Sequence, residues 1–363
     1  MSALRELLEH AVRTGASDVH LAPDRSPAFR VRGDLADSGF PPAAAGELAA
    51  IVRDVIPPHL RDAYEREHEA DFSLIEPGVG RFRVNVFLGG GLPHIVMRHV
   101  KEEIPTFEAL HLPPILKKLA RAPRGIVLAC GASGCGKSTT LAAMIEHVNR
   151  TERLRILTIE DPVEYLFEDR RSMISQREVG LDTLSFHHAL MRLMRQDPDI
   201  ILIGEMRDAE SFRAALRAAE TGHLVLSTLH SSTAAQAPQR ILDMFPSSER
   251  EPLRLALADN LHAAFCQRLI PSTDGGVRPA VEILINSLIV RNLMIKGVLE
   301  KLPAAIETGG EDGMQTFNQA IYGLIRRGEI TEAEGLRHAE NPEALRMNLR
   351  GIFLDEARRI LTE

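Results

Sequence analysis

The chain has 363 residues, 44% of them hydrophobic and 26% charged, and a formal net charge of −7. At about 100–200 residues per domain this predicts two domains with a sizeable apolar core and excludes disorder as the dominant state. No apolar run is long enough to span a membrane, the N-terminal residues lack the apolar stretch of a secretory signal, neither half is basic, and with no Trp and 4% aromatics a platform for stacking single-stranded nucleic acid is not expected.

Residues 1–100 read as a small α+β unit. Leu4, Leu7, Leu8 and Val12 share one helical face, and Gly15 ends that helix. Residues 18–21 and 29–31 are predicted strands. Residues 48–68 are predicted helical, broken at Pro57-Pro58. Phe82, Val84 and Val86 alternate with Arg81, Arg83 and Asn85, the pattern of a half-buried strand with both arginines on the open face. Gly89-Gly90-Gly91 turns the chain into a return strand over 95–100.

Residues 101–114 are charged and then proline-bearing, and read as a linker to a second domain over 115–363. There, short apolar runs at 126–129, 156–159, 200–203, 224–226 and 281–285 alternate with helical patterns. Such runs are candidate buried strands of an α/β sheet, although periodicity alone does not separate them from buried helix segments. Leu345, Leu349, Ile352 and Phe353 fall on one helical face that is expected to pack on the main body.

Gly131-Ala132-Ser133-Gly134-Cys135-Gly136-Lys137-Ser138 matches the P-loop pattern, between an apolar run and a predicted helix over 139–148. Glycines let successive backbone N–H groups turn toward phosphate oxygens, and the helix start adds its positive end. The expected phosphate-binding set is Ser133, Gly134, Cys135, Gly136, Lys137, Ser138 and Thr139. Lys137 reaches the β/γ-phosphates of ATP, and the Ser138 hydroxyl ligates Mg²⁺. Residues 199–205 form an apolar run ending in an acid, which suits a Walker-B strand. Gly204 stands where Asp is usual, so Glu205 is the expected metal-side carboxylate.

Glu160, Asp161 and Glu164 crowd one strand-to-loop junction, where a carboxylate could orient the attacking water or simply be solvated. His223 precedes a predicted strand and His230 follows it; either could sense a γ-phosphate or position Glu205, or be a hydrogen-bonded histidine without a role. Arg81 and Arg83 read as surface charge, or as fingers if a phosphate meets that face. Cys130, Cys135 and Cys266 make neither a disulfide framework nor a four-ligand zinc site, and a reducing cytoplasm is the default compartment.

These stretches together resemble a known family. Residues 195–208 resemble the signature of type II secretion and type IV pilus ATPases, 157–165 their Asp box, and 219–223 with 228–230 their His box. Residues 15–21 and 80–85 resemble the N-terminal domain of the PilT/PilU retraction ATPases. The resemblance, running from about residue 7 to residue 339, implies a PAS-like N-terminal domain followed by a RecA-like ATPase domain. It implies a homohexameric motor that hydrolyses ATP, acts on an inner-membrane pilus platform protein from the cytoplasmic face, and drives pilus retraction and twitching motility. By position, Glu164 matches the general base, Glu205 the Walker-B acid, His223 and His230 the His-box pair, and Arg81 and Arg83 the N-domain arginines near the nucleotide.

Retraction is favoured over pilus extension because the extension ATPases resemble a longer chain carrying a tetracysteine zinc site. The P-loop departs from the family at Ala132 and Cys135, the latter a candidate oxidation site. The retraction motif is matched only in part by 289–294, while 313–320 and 328–331 look PilU-like. Main motor and accessory motor, working beside a paralogous retraction ATPase, both stand on these residues. A secretion or DNA-transfer ATPase of related fold is the alternative. The near-neutral composition gives no support to nucleic-acid handling.

Overall fold

Leu4, Leu7, Leu8 and Ala11 recur at helical spacing, and the helix Ser2–Arg13 buries all four. The computed structural model describes residues 2–31, 33–100 and 103–353. Two units are present, Met1–Glu103 with Pro162–Leu166, and Ile104–Asp161 with Phe167–Glu363.

The first unit is built on β1 (Asp18–Leu21), β2 (Ala28–Val31), β3 (Asp34–Asp37), β4 (Glu69–Glu76), β5 (Gly80–Gly89) and β6 (Leu92–Val100). They form one antiparallel sheet in the order β3-β2-β1-β6-β5-β4. Leu48 and Val52 of the helix Ala45–Val55 join the first helix on the core. That helix ends before Pro57-Pro58, as expected. Phe82, Val84 and Val86 are fully buried against Leu8, Ile95 and Met97.

The opposite face of β5 differs from the sequence expectation. Arg83 is exposed and stands 3.9 Å from Asp71, but Arg81 is only 5% exposed. Its guanidinium donates to Ser73 Oγ at 2.9 Å. Ser73 is the cross-strand partner of Arg83 and so the diagonal neighbour of Arg81, whose long side chain lies along β4 rather than standing out from it.

The second unit carries β7 (Gly125–Cys130), β8 (Arg155–Glu160), β9 (Met173–Glu178), β10 (Ile200–Ile203), β11 (Leu224–Leu229), β12 (Leu261–Pro271) and β13 (Val277–Ile285). The order is β13-β12-β7-β11-β10-β8-β9, parallel throughout except for β13 at one edge. Alternate residues of the same strand enter different cores. Ile126, Leu128, Ile201 and Ile203 pack on one face, and Val127, Ala129, Ile200 and Leu202 on the other. Helices cover both faces, so these strands read as unbroken apolar runs.

Within the expected linker, Lys101 and Glu102 lie outside the described residues, and Phe107 and Leu112 are buried in the core of the second unit. The C-terminal expectation holds for Leu345, fully buried in the helix Pro342–Leu349. Ile352 and Phe353 follow that helix and are 52% and 64% exposed. Residues 354–363 of the expected C-terminal region lie outside the described residues.

Candidate active site

β7 runs straight into the glycine-rich loop, and the helix Lys137–Thr151 follows at once. Gly131, Gly134 and Gly136 take φ of +135°, +78° and +90°, a region that other residues rarely enter. Space also requires glycine at the first of these. A Cβ on Gly131 would stand 2.6 Å from Cys135 Sγ and 2.9 Å from the Gln267 carbonyl. Lys137 is 9% exposed, and its ammonium donates to the carbonyls of Gly131 at 2.9 Å and Ala132 at 2.8 Å. Ser138 and Thr139 follow in the first turn of the helix, whose N-terminal end is electropositive.

β10 and β11 bring a second group together at the same end of the sheet. Glu205, just past β10, accepts from Arg207 Nε at 2.7 Å on one carboxylate oxygen. Its other oxygen lies 3.2 Å from His230 Nε2, just past β11. The hydrogen bond to Glu205 raises the Arg207 guanidinium's pKa. Gly204 is closely packed: a Cβ there would stand 3.3 Å from Glu160 Cα, so β8 would have to give by a few tenths of an ångström to admit one.

The two histidines part company. Six strand residues separate them, roughly 23 Å over seven steps of about 3.3 Å, with His230 at the C-terminal end of β11 and His223 at the other. His223 Nδ1 lies 2.9 Å from the Ala218 carbonyl. Within one chain, His223 cannot sense a phosphate at the loop or position Glu205. Of the acidic trio, Glu160 is buried and accepts from Thr158 Oγ1 at 2.6 Å and Gln176 Nε2 at 3.3 Å. Asp161 and Glu164 are exposed, and Glu164, like Arg81 and Arg83, belongs to the first unit.

A cleft of about 660 Å³ opens along residues 131–135 of the loop. Its other walls are His230, Ser231 and Ser232 after β11, residues 266–269 of β12, and His338. Sequence reasoning missed the β12 wall and Arg207. The signal for the former was Gln267-Arg268 inside an otherwise apolar run, since a buried polar residue needs partners. Gln267 bonds to the loop itself, and Arg268 lies 3.8 Å over the Phe317 ring while donating to the His338 carbonyl at 3.0 Å. Cys130, Cys135 and Cys266 are all buried thiols. Burial pushes Cys130 up to about 12 and raises Cys135 as well, which disfavours the reactive thiolate in the loop.

A family model described as type II/IV secretion system protein matches residues 1–284. The chain belongs to that family. It is 42% identical over 340 residues to a Pseudomonas aeruginosa protein named type IV pilus retractation ATPase PilT, covering 94% of this chain and 99% of that one. It is 40% identical over 346 residues to the type IV pilus ATPase PilU of the same organism, covering 95% and 91%. The crystal structure of the pilus retraction motor PilT with bound ADP superimposes with a TM-score of 0.87 at 39% identity, covering 94% of this chain and 98% of that one. The family's fold, an N-terminal domain before a RecA-like ATPase domain, is the fold described above.

Proposed function

We propose that this chain is the ATP-hydrolysing motor of type IV pilus retraction. It works as a homohexamer at the cytoplasmic side of the inner membrane, through a pilus platform protein and beside a paralogous retraction ATPase. The observation that carries this reading is the glycine loop with its buried Lys137, set one strand away from the Glu205–His230 pair at the same end of a parallel sheet. The likeness to PilT over nearly the whole of both chains supports the polymer on which the motor acts. Among the described residues no helix is long and apolar enough to cross a membrane, so membrane association falls to partners.

The site fits a nucleotide, because three glycines at positive φ, two of them packed against Gln267 too closely to carry a Cβ, shape a loop that lines an open cleft. Among the described residues no cluster of three metal-binding side chains exists. Mg²⁺ asks for less, since it takes one or two protein oxygens with phosphate and water completing its shell. Ser138 and Glu205 would hold it. ATP supplies the transferable γ-phosphoryl group, and Mg²⁺ bound there would supply positive charge against it. Lys137 and the backbone of residues 133–139 bind and orient the phosphates. Glu164 takes the proton of the attacking water, and His230 holds Glu205 in place. Arg83, with its exposed guanidinium, serves as the finger, while Arg81 stiffens the strand that presents it.

The test is deletion of the gene in its host, with complementation by wild type and Lys137→Ala, scored by surface motility and by pilus retraction under the microscope. Loss of both, rescued only by wild type, is expected. A deletion strain whose pili retract normally, together with purified protein that hydrolyses no ATP, refutes the motor. The near-equal similarity to PilU favours a second reading, an accessory motor. Retraction that persists unloaded and fails under load identifies that case.

A further inference from the structure

Gln267 lies in mid-β12, 4% exposed, at a position no sequence motif marked. Its side-chain amide spends both ends on one neighbour. The Nε2 donates to the Cys135 carbonyl at 2.7 Å, and the Oε1 accepts from Thr140 Oγ1 at 2.9 Å. One contact is inside the glycine loop and the other is one turn into the helix that follows. The Gln267 main chain also faces the loop, since its carbonyl is 2.9 Å from where a Gly131 Cβ would be. Strand and loop therefore meet with no side chain between them on one side and a two-ended amide on the other.

The consequence follows from the peptide unit. A trans peptide holds its C=O and the next N–H on opposite sides. Fixing the Cys135 carbonyl against Gln267 turns the Gly136 N–H to the far side of the loop. Gly136, at φ +90° and without a Cβ, has little of its own to keep that plane from flipping. An amide suits the task because it donates and accepts at once; a leucine does neither, and an ionised glutamate only accepts.

We infer that Gln267 is a positioning residue for nucleotide binding: it sets the Cys135–Gly136 peptide plane of the phosphate loop and ties the loop and its helix to β12. This rests on the nucleotide site proposed above. Thr140 belongs to the same device, because its hydroxyl fixes the amide's orientation and acts on the loop only through Gln267.

The test uses the full chain with Gln267→Leu, Thr140→Val and the double variant, measuring affinity for a ribose-labelled fluorescent ADP analogue, steady-state hydrolysis, and thermal unfolding without nucleotide. Gln267→Leu should weaken affinity tenfold or more and raise KM more than it lowers kcat. Thr140→Val should weaken affinity severalfold. The double variant should be no worse than Gln267→Leu alone, because one pathway is broken twice. Wild-type affinity in Gln267→Leu, or strictly multiplicative losses in the double variant, overturns the inference. If Gln267→Leu fails to fold, the isosteric Thr140→Val decides: weaker binding at wild-type melting temperature supports the device, and unchanged binding refutes it. Failure of the wild-type protein to bind the analogue would instead sink the nucleotide site itself.

Discussion

Lys137→Ala probes the nucleotide site at its most buried charge. The Lys137 side chain is already out of water, 9% exposed, and it donates to two loop carbonyls at 2.9 and 2.8 Å. A phosphate that engages it replaces carbonyl partners with a charged acceptor, so the desolvation of the lysine is not incurred again on binding. The gain is then that of one hydrogen bond between charged groups, about 1.5–3 kcal/mol. Truncation should weaken the labelled ADP analogue by roughly 10–150-fold on that basis. Turnover should fall further, by about 10²–10³ beyond the binding loss, because charge on the transferred group peaks in the transition state. The two carbonyls left without their donor should lower the melting temperature only slightly, since they border an open cleft. Fluorescence titration, phosphate release and thermal unfolding on one preparation separate these effects. Affinity within twofold of wild type, with phosphate release intact and the fold unchanged, would falsify the assignment of this loop to phosphate.

Glu164→Gln should keep nucleotide affinity and lose at least about tenfold in single-turnover hydrolysis, because it retains the shape but not the proton acceptor; a rate near wild type moves the base to another carboxylate. The arginines of β5 should separate in the thermal melt. Arg83→Ala should cost within about 0.5 kcal/mol, since its ion pair is exposed and long. Arg81→Ala should cost about 1–3 kcal/mol through the buried bond to Ser73. A drop in turnover for Arg83→Ala at unchanged melting temperature supports the finger role, and unchanged turnover removes it. Stability should also depend on pH through Glu282, which is 2% exposed and whose carboxyl burial pushes up to about 7. The folded chain then binds more protons than the unfolded one, so this contribution is fully present below the unfolded value near 4.5 and lost as pH rises to about 7. The loss is at most on the order of 3 kcal/mol. Glu282→Gln should flatten that stretch of the melting-temperature profile, and an unchanged slope assigns it to other groups.

Much of the fold was legible because burial on both faces writes itself into composition. The runs at 126–129, 156–159 and 200–203 mark β7, β8 and β10 to within a residue or two. The strands that escaped notice lack that signature. β3 is Asp-Leu-Ala-Asp and wholly exposed, and β9 holds Ser175, Gln176, Arg177 and Glu178, so neither shows a clean apolar period. β12 escaped because Gln267 and Arg268 interrupt it, and the partners that satisfy them are 127 or more residues away for Gln267. The glycine loop was readable because its chemistry is local: spacing alone sets which residues take positive φ. That a histidine flanking β11 could position Glu205 was readable from the sequence order, but not which of the two; Arg207, on the other oxygen of Glu205, was missed because an exposed arginine looks like solvated charge until its carboxylate is seen. Arg81 was misplaced for the converse reason, since strand alternation gives the face but not the depth to which a long side chain lies along it.

The outer strands of the larger sheet have a bearing on how the protein behaves in the tube. Strand edges invite other chains, and here hydrogen bonds from flanking segments blunt both of them. At β9, Asp169 Oδ1 takes the Ile174 N–H at 2.9 Å, and the Gln176 side chain takes the Phe167 N–H at 2.9 Å. At β13, the Gln315 main chain bridges Ile283 in both directions while its amide donates to the Val281 carbonyl at 2.7 Å. The guards differ in how far along the chain they come from. The β13 guard, Gln315, lies 32 and 34 residues beyond its partners Ile283 and Val281, whereas Asp169 and Phe167 lie only five and nine residues before their partners on β9. A chain that has formed β13 before Gln315 docks on it presents a bare edge on that side. Recovery from denaturant should fall steeply with protein concentration, while the finished protein, once closed, tolerates the same concentration without clumping.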